Sequence, residues 1–314
     1  MNKNILITAY PFCEYNDLPL KLLKKNKLTY FLNPFKRRLK EKEIFKLLKK
    51  FDGIIADTEP LTNKVLNEAK KLKIISRVGI GLNNVDLVAA KKNNIKVAYT
   101  PDAPTDAVVE LTLGLILNSI RKISEQNYLM KKKIWNRIAG FRIPHLKFGI
   151  IGLGRIGFKI AKNLKKLGAK QIFYNDIVTK KFSNFKFKSK DYIYKNCDIV
   201  SLHVPLTNKT ENLITIKEIN KMKKNCILIN TSRGEIINEN DLLKSLSHGR
   251  FFSVALDVFN NEPYYGALRK FDRCILTPHI GSMSFDCRNR MEIEATEAVI
   301  NYFNNKKINN LAVK

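Results

Sequence analysis

The chain has 314 residues, of which 45% are hydrophobic, and this length and apolar content predict about two globular domains with separate cores. Its five cysteines have no disulfide-like or metal-ligand spacing, and no apolar segment suits a signal peptide or a membrane span, so we expect a cytoplasmic protein without a metal site or a membrane partner. The formal charge of +29 comes from lysines spread at helical spacing beside Leu and Ile, without interleaved aromatic residues, which favours solvated helix faces over a nucleic-acid partner.

From the N-terminus, β-branched apolar runs alternate with lysine-rich amphipathic runs: ILITAY, PLKLLKKN, LTYFLN, EIFKLLKKF, GIIAD, KVLNEAKKL and IISRV. Strands and helices that alternate at this pace predict a parallel sheet with helices on both faces. The next long stretch, DAVVELTLGLILNSIRKI, is apolar around most of its circumference. It indicates a buried helix, because Glu110 and Asn118 interrupt it too early for a membrane span.

A second series of apolar runs follows, with the sequences KFGIIGL, QIFYND, DIVSLHV, CILINTS, FSVALDV and CILTPHI. It predicts a second doubly wound unit after the first. The C-terminal stretch RMEIEATEAVINYFNN is amphipathic and long enough to return to the first unit. Because no low-complexity linker separates the two units, we expect them to meet across a cleft.

The stretch FGIIGLGRIG contains three glycines, Gly152, Gly154 and Gly157, in G-x-G-x-x-G spacing between an apolar strand and a helical pattern. The first glycine permits a tight turn, the second lets the backbone approach a pyrophosphate, and the third lets the helix pack close to the strand. We therefore expect a dinucleotide to bind this loop, including Arg155 and Ile156, with its phosphates at the helix N-terminus.

The nucleotide's identity is predicted from the end of the next strand, where Asp176 lies roughly 20 residues after Gly157. A carboxylate at that point accepts hydrogen bonds from a ribose 2′-hydroxyl and repels a 2′-phosphate, which favours NAD over NADP. Lys180 and Lys181 lie close downstream and weaken this preference.

Further motifs occur in a fixed order along nearly the whole chain: ISRVGIGLNNVDL, TDAVVELTLGLIL, GIIGLGRIG, DIVSLHVPLT, LINTSRGEIINENDLL, VALDVFNNEP and LTPHIGS. With these motifs the sequence resembles the D-isomer-specific 2-hydroxyacid dehydrogenase family, and among its branches it is most similar to D-3-phosphoglycerate dehydrogenases. The resemblance implies two Rossmann-like doubly wound parallel-sheet domains with a cleft between them. Residues 1–97, completed by 285–314, would bind substrate, and residues 98–284 would bind NAD.

The resemblance also implies a catalytic trio of Arg233, Glu262 and His279, in the motifs NTSRGE, NNEP and TPHIG. Arg233 presents a planar fork of donors that suits a carboxylate or a neighbouring keto oxygen. His279 would act as general base when the hydroxyl group is oxidised and as general acid when the keto group is reduced. Glu262 would favour the protonated imidazole and fix its tautomer. The reaction would transfer hydride between the nicotinamide and C2 of a D-2-hydroxy acid.

Other positions match binding motifs of the family. The backbone of RVGIG, with its accessible glycine N–H groups, would bind the substrate carboxylate. The residues there are Arg77, Val78, Gly79 and Gly81. Asp257 would contact the nicotinamide carboxamide, and the remaining cofactor contacts would be His203, Pro205, Thr207 and Thr231. The family further suggests a homodimer formed by the cofactor domain.

The chain departs from the phosphoglycerate dehydrogenase pattern at the residues that would hold the distal end of the substrate. Phosphoglycerate dehydrogenases commonly carry a basic residue near the end of the third strand to hold the distal phosphate, whereas this chain has Asp57 and Glu59 there. Reduction of hydroxypyruvate, glyoxylate or another short 2-keto acid is therefore an alternative to 3-phosphoglycerate oxidation. A non-catalytic protein that senses NAD is an alternative from another class, and binding of nucleic acid through the positive charge is a third.

Overall fold

The computed structural model describes residues 3–179 and 182–313. Lys180 and Lys181, which bear on the choice between NAD and NADP, lie outside the described residues. The chain divides into two compact units, the first formed by residues up to Thr105 with those from Ser282 onward, and the second by Asp106–Gly281. No helix of the described ranges combines the length and apolar character that a membrane span needs.

Within the described residues, the first unit has six strands and five α-helices. The strands are β1 (Lys3–Ile7), β2 (Leu28–Leu32), β3 (Gly53–Ala56), β4 (Ile74–Arg77), β5 (Lys96–Tyr99) and β13 (Leu311–Val313). The helices are α1 (Leu18–Lys25), α2 (Glu41–Leu47), α3 (Asn63–Glu68), α4 (Leu87–Lys92) and α11 (Phe285–Phe303).

The sheet of the first unit has the strand order β13, β5, β4, β3, β1, β2. All neighbours are parallel except β13, which pairs antiparallel with β5. The chain reverses its direction of growth between β1 and β3, so the topological switch point of this unit lies between those two strands. The long C-terminal helix α11 packs on α1 and on β3, β4 and β5.

In the part of the second unit that the structure describes, there are seven strands and six α-helices. The strands are β6 (Lys147–Ile151), β7 (Gln171–Asn175), β8 (Lys186–Phe187), β9 (Ile199–Leu202), β10 (Ile227–Asn230), β11 (Ser253–Leu256) and β12 (Cys274–Leu276). The helices are α5 (Pro104–Arg121), which begins at the boundary, α6 (Ile123–Lys131), α7 (Arg155–Lys166), α8 (Lys190–Asn196), α9 (Ile216–Lys221) and α10 (Glu239–Ser247).

The sheet of the second unit is parallel throughout, in the order β12, β11, β10, β9, β6, β7, β8, with its switch point between β6 and β9. Its strands are apolar on both faces because helices cover both. In β10, for example, Ile227 and Ile229 enter one core cluster, whereas Leu228 between them enters the other. The predicted fold class, two doubly wound parallel α/β units, is confirmed.

Some details of the fold differ from the expectations. The structure divides the chain at Thr105 and Gly281, where the sequence placed boundaries at 97 and 284. The two-residue strand β8 and the antiparallel β13 were not predicted, because runs of two or three residues carry no readable periodicity.

A glycine in the middle of β6 sets the spacing between that strand and α8. A Cβ atom on Gly149 would lie 2.4 Å from Ile193 Cγ2 and 3.0 Å from Cys197 Sγ, both in buried side chains. We expect Gly149→Ala to lower the free energy of unfolding by about 1–3 kcal/mol through overpacking. Thermal denaturation would measure this. Gly114→Ala is the matched control, since its Cβ would meet no atom within 4 Å, and equal melting temperatures for the two variants would contradict the prediction.

Candidate active site

The predicted trio lies in turns that follow three adjacent strands of the second unit. Arg233 follows β10, Glu262 lies in the loop after β11, and His279 follows β12. Because parallel strands end at the same edge of a sheet, these three turns meet at the carboxyl edge. The structure therefore brings together side chains that are far apart in the sequence.

The imidazole of His279 is paired with Glu262. Its Nδ1 lies 2.8 Å from Glu262 Oε2, and Glu262 Oε1 accepts a hydrogen bond of 3.1 Å from the Phe259 N–H. With Nδ1 occupied by the carboxylate, Nε2 is the ring nitrogen that remains for proton exchange. The His279 side chain is 39% exposed, so a small ligand has access to that nitrogen.

The turn that carries His279 is held by Asp257. His279 has a φ of 54°, in the left-handed region that few side chains adopt. Asp257 Oδ1 accepts hydrogen bonds from the Thr277 hydroxyl (2.5 Å) and the Ile280 N–H (2.8 Å), and Oδ2 accepts one from the Gly281 N–H (2.9 Å). Desolvation raises the pKa of Asp257, and these hydrogen bonds oppose the rise. Asp257 thus positions His279, a role that the sequence did not reveal.

The turn that carries Arg233 is fixed by hydrogen bonds to Asn230 and by close packing of Gly234 on Phe259. Asn230 Nδ2 donates to the Arg233 carbonyl oxygen (2.8 Å), and Asn230 Oδ1 accepts from the Ser232 N–H (3.0 Å). The guanidinium Nη1 of Arg233 donates to the Ser232 carbonyl oxygen (2.6 Å). A Cβ atom on Gly234 would lie 2.1 Å from the Phe259 carbonyl carbon, so this turn packs directly on the loop that leads to Glu262. Asn230 and Gly234 were not predicted as site residues, since a strand-end Asn and a lone Gly carry no specific signal in the sequence.

The glycine loop joins β6 to α7, and each of its glycines has a distinct physical reason. Gly152 has a φ of 93°, and a Cβ there would lie 2.4 Å from the His203 carbonyl oxygen. A Cβ on Gly157 would lie 2.0 Å from the Gly152 carbonyl oxygen. Gly154, the N-cap of α7, faces open space instead. The N-terminus of the 12-residue helix α7, which begins with Arg155 and Ile156, is therefore clear for a pyrophosphate, so the loop fits NAD.

Asp176 follows β7, next to the glycine loop. Its Oδ2 accepts the Leu153 N–H at 2.5 Å, and its Oδ1 accepts the Val178 N–H at 3.0 Å. Two backbone donors thus fix a half-buried carboxylate beside the loop. Such a group can still accept hydrogen bonds from ribose hydroxyls, because each carboxylate oxygen has a second lone pair.

The other expected cofactor residues follow β9 and β10. Desolvation lowers the pKa of His203 to about 3, so its ring is neutral, with Nε2 2.8 Å from Ser201 Oγ. Pro205 and Thr207 lie in the exposed turn that follows. Thr231 is buried, and its hydroxyl pairs with that of Thr112 in α5 at 2.9 Å. These residues share the carboxyl edge with the glycine loop, and their contact with NAD stays a prediction.

The segment expected to bind the substrate carboxylate lies in the first unit, after β4. The Val78 N–H donates to the Ala56 carbonyl oxygen (2.8 Å), and the Gly79 N–H donates to Thr100 Oγ1 (2.8 Å). The expectation of accessible N–H groups is therefore wrong for Val78 and Gly79, because the strand pairing and Thr100 already occupy them. In the described ranges, the N–H groups of Ile80 and Gly81 make no hydrogen bond.

Three comparisons with known proteins agree. Residues 113–281 match the family model described as the NAD binding domain of D-isomer specific 2-hydroxyacid dehydrogenases. The chain is 37% identical over 247 residues to a glyoxylate reductase from Thermofilum pendens, covering 74% of this chain and 73% of that one. It is 34% identical over 268 residues to a hydroxypyruvate reductase from Thermotoga maritima, covering 83% and 88% respectively.

Among solved structures, the D-lactate dehydrogenase from Aquifex aeolicus complexed with NAD and lactic acid superposes with a TM-score of 0.88 at 25% identity, covering 99% of both chains. Phosphoglycerate dehydrogenases also occur among the relatives. The expected family and the NAD cofactor are thereby confirmed, whereas the closest branch is not decided. Its folded units, its glycine loop and these relatives together show that the chain belongs to the D-isomer-specific 2-hydroxyacid dehydrogenases, a family of NAD-dependent oxidoreductases.

Proposed function

We propose that this protein reduces a short 2-keto acid to the D-2-hydroxy acid, with the second unit binding NADH and the first unit contributing the substrate-binding segment. The observation that carries this proposal is the His279–Glu262 pair, with Nδ1 2.8 Å from Oε2, on the same sheet edge as Arg233 and the glycine loop. A histidine whose tautomer is fixed by a carboxylate is the arrangement that proton exchange with a carbonyl oxygen requires.

Each member of the trio has a separate task. Protonated His279 donates its Nε2 proton to the keto oxygen, and Nδ1–H stays bonded to Glu262, whose negative charge stabilises the imidazolium before transfer. Arg233 binds the keto oxygen or the adjacent carboxylate through its fork of donors and so orients C2. When bound, NADH supplies the hydride. The balance is one hydride to C2 and one proton to oxygen, which leaves neutral imidazole.

The substrate carboxylate would bind the first unit at residues 77–81. Ile80 and Gly81 have N–H groups without a hydrogen bond in the described ranges, and the guanidinium of Arg77 lies over Gly79. Gly79 has a φ of 139°, which favours glycine, and a Cβ there would force the Arg77 guanidinium to move. Backbone donors and a cation together form a suitable anion site.

The relatives and the residues after β3 support a substrate without a distal phosphate. The two relatives described above are a glyoxylate reductase and a hydroxypyruvate reductase. Asp57 and Glu59 follow β3, where a dianionic phosphate would meet carboxyl groups instead of a basic side chain. Oxidation of 3-phosphoglycerate, the activity of the branch that the motifs most resemble, remains the competing prediction.

A substrate panel tests the proposal. We expect purified enzyme to oxidise NADH in the presence of glyoxylate or hydroxypyruvate faster than with phosphohydroxypyruvate, pyruvate or 2-oxoglutarate, and to use NADPH less well.

Arg233→Ala should lower kcat by roughly 100-fold or more, because a donor to the reacting oxygen is lost, with NADH affinity nearly intact. A tenfold loss of NADH binding in this variant would remove Arg233 from its role. Absence of turnover with every acid, despite tight NADH binding, would favour the NAD-sensor alternative.

Glu262→Gln tests the role of the carboxylate. Reduction consumes a proton from His279 Nε2, so its rate falls as pH rises. Glutamine keeps a hydrogen-bond acceptor but removes the negative charge beside the ring, so we expect the kcat/KM profile for reduction to move to lower pH. Glu297→Gln, on the exposed side of α11, is the matched control. An unmoved profile would exclude Glu262 from the mechanism.

We also infer a homodimer formed by the second unit. Helix α6 has no buried residue, and the segment around it exposes several large apolar side chains: Leu117, Ile123, Tyr128, Met130, Ile134, Trp135 and Phe141. Several exposed apolar side chains within one segment are typical of a protein interface, and a second copy of the chain is the occupant that the family suggests.

Light scattering after size exclusion should give twice the 36.2 kDa of one chain. Trp135→Asp, at a side chain that is 80% exposed in one chain, should shift the mass toward the monomer by placing a charge in the interface. Val88→Asp, 81% exposed in the first unit, is the control that should leave the mass unchanged. A monomeric wild-type protein would refute the dimer.

A further inference from the structure

The first unit has a topological switch point of its own. Its parallel strands follow the order β2, β1, β3, β4, β5, so the switch point lies between β1 and β3. In doubly wound sheets, ligands bind outside the carboxyl ends of the strands at this point. The residues found there are Thr8, directly after β1, Asp57, directly after β3, and Arg77, at the end of β4.

The loop after β3 is held rigidly. Glu59 is buried, and its carboxyl group accepts hydrogen bonds from the Thr8 hydroxyl and from the Asp57 N–H (3.2 Å). Asn84 Nδ2 donates to the carbonyl oxygens of Asp57 (3.0 Å) and Glu59 (2.8 Å). Burial raises the pKa of Glu59 to about 7, against the opposing effect of the Thr8 hydrogen bond. The Asp57 side chain is therefore presented from a fixed backbone.

Two side chains at this edge have unused hydrogen-bonding capacity. The carboxylate of Asp57 accepts no hydrogen bond from the described residues, and its side chain is 27% exposed. Arg77 Nη1 lies 3.9 Å from Asp57 Oδ1, too far for a hydrogen bond. The guanidinium of Arg77 is buried, its Nε has no partner in the described ranges, and its hydrogen bond there goes from Nη1 to the Val78 carbonyl oxygen.

The Asp57 carboxylate is a hydrogen-bond acceptor, and the neighbouring Arg77 guanidinium is a cationic donor. Together they discriminate between the chemical groups that a ligand could place beside them. A phosphate offers only acceptor oxygens and negative charge and is repelled by Asp57. An ammonium group offers only donors and positive charge and is repelled by Arg77. An alkyl group would leave the polar side chains without partners, which is costly once water is excluded. A hydroxyl group is neutral, donates to a carboxylate and accepts from a guanidinium.

We propose that Asp57, supported by Arg77, binds a hydroxyl group on the substrate, so that the enzyme prefers a 2-keto acid hydroxylated close to the keto carbon. Hydroxypyruvate is the simplest member of this class. The inference rests on the proposed function, in which residues 77–81 bind the carboxylate. Asp57 directly follows Ala56, whose carbonyl oxygen accepts the Val78 N–H at 2.8 Å, so Asp57 lies on the strand next to the proposed carboxylate-binding segment.

The test compares hydroxypyruvate with pyruvate, which lacks only the hydroxyl group, and with phosphohydroxypyruvate, in which that group is phosphorylated. We expect kcat/KM of the wild-type enzyme to be higher for hydroxypyruvate than for either by roughly 10- to 100-fold, the range for a hydrogen bond to a charged group. Asp57→Ala should reduce the hydroxypyruvate-to-pyruvate ratio to about threefold or less, and Asp57→Asn should give an intermediate ratio.

Asp17→Ala is the matched control, since Asp17 is an exposed aspartate of the same unit that pairs only with Lys21 in the described ranges. It should leave the ratio unchanged. Thermal denaturation followed by circular dichroism checks that each variant is folded, and NADH affinity should be unchanged in both, because the proposed cofactor residues belong to the second unit. The comparison in the wild-type enzyme needs no variant, so the inference stays testable if Asp57→Ala does not fold.

The outcomes separate this inference from the proposed function. If no 2-keto acid is reduced, both are overturned. If kcat/KM for glyoxylate and pyruvate equals that for hydroxypyruvate, or if phosphohydroxypyruvate has the highest kcat/KM, the role of Asp57 is overturned and the reductase activity stands. An unchanged ratio in Asp57→Ala, in a folded variant, also overturns it.

Discussion

Parallel pairing of β10, β11 and β12 is the constraint on which the candidate active site depends. Parallel strands in register end together, so the turns after them are forced onto one edge of the sheet. The residues in those turns are separated by up to 46 positions in sequence, from Arg233 to His279, yet they need no long-range contact of their own to meet. The same constraint places the glycine loop, Asp176 and His203 on that edge.

Polar side chains at this edge act mainly on the backbone. Asp257 binds the turn of His279, and Asn230 binds the turn of Arg233. Both lie at the end of a buried strand, where the backbone N–H and C=O groups of a turn would otherwise lack partners. A left-handed histidine costs free energy, and the hydrogen bonds to Asp257 offset that cost locally. The turns that carry the reacting side chains are thereby held by neighbouring residues, Asp257 and Asn230, through hydrogen bonds.

The sequence predicted the parts of this protein that follow from short-range patterns. Continuous apolar runs located the long strands, and the flanks of Gly152, Gly154 and Gly157 located the nucleotide loop, in which Gly152 has a positive φ and Gly157 packs against the Gly152 carbonyl oxygen. The engagement of the Val78 and Gly79 N–H groups was not predictable, because it depends on which neighbouring strand and side chain each N–H faces. The structural role of Asp257 was equally hidden, since its partners lie 20 to 24 positions away. The charged residues around Arg77 could be named from the sequence, but the sequence could not show which of their polar atoms lack a hydrogen bond.

Helix α6 has a thermodynamic consequence for the whole molecule. It has nine residues, none of them buried within one chain, and a peptide helix of that length is marginal in water. Its order in the dimer that we infer would come from the partner surface, so the folding of α6 and the association of two chains would share one equilibrium. Amide hydrogen exchange in this helix would then depend on protein concentration. Exchange in the buried strand β10 would not show this dependence, because β10 does not open together with α6. The least buried helix of the second unit would thus report on subunit association.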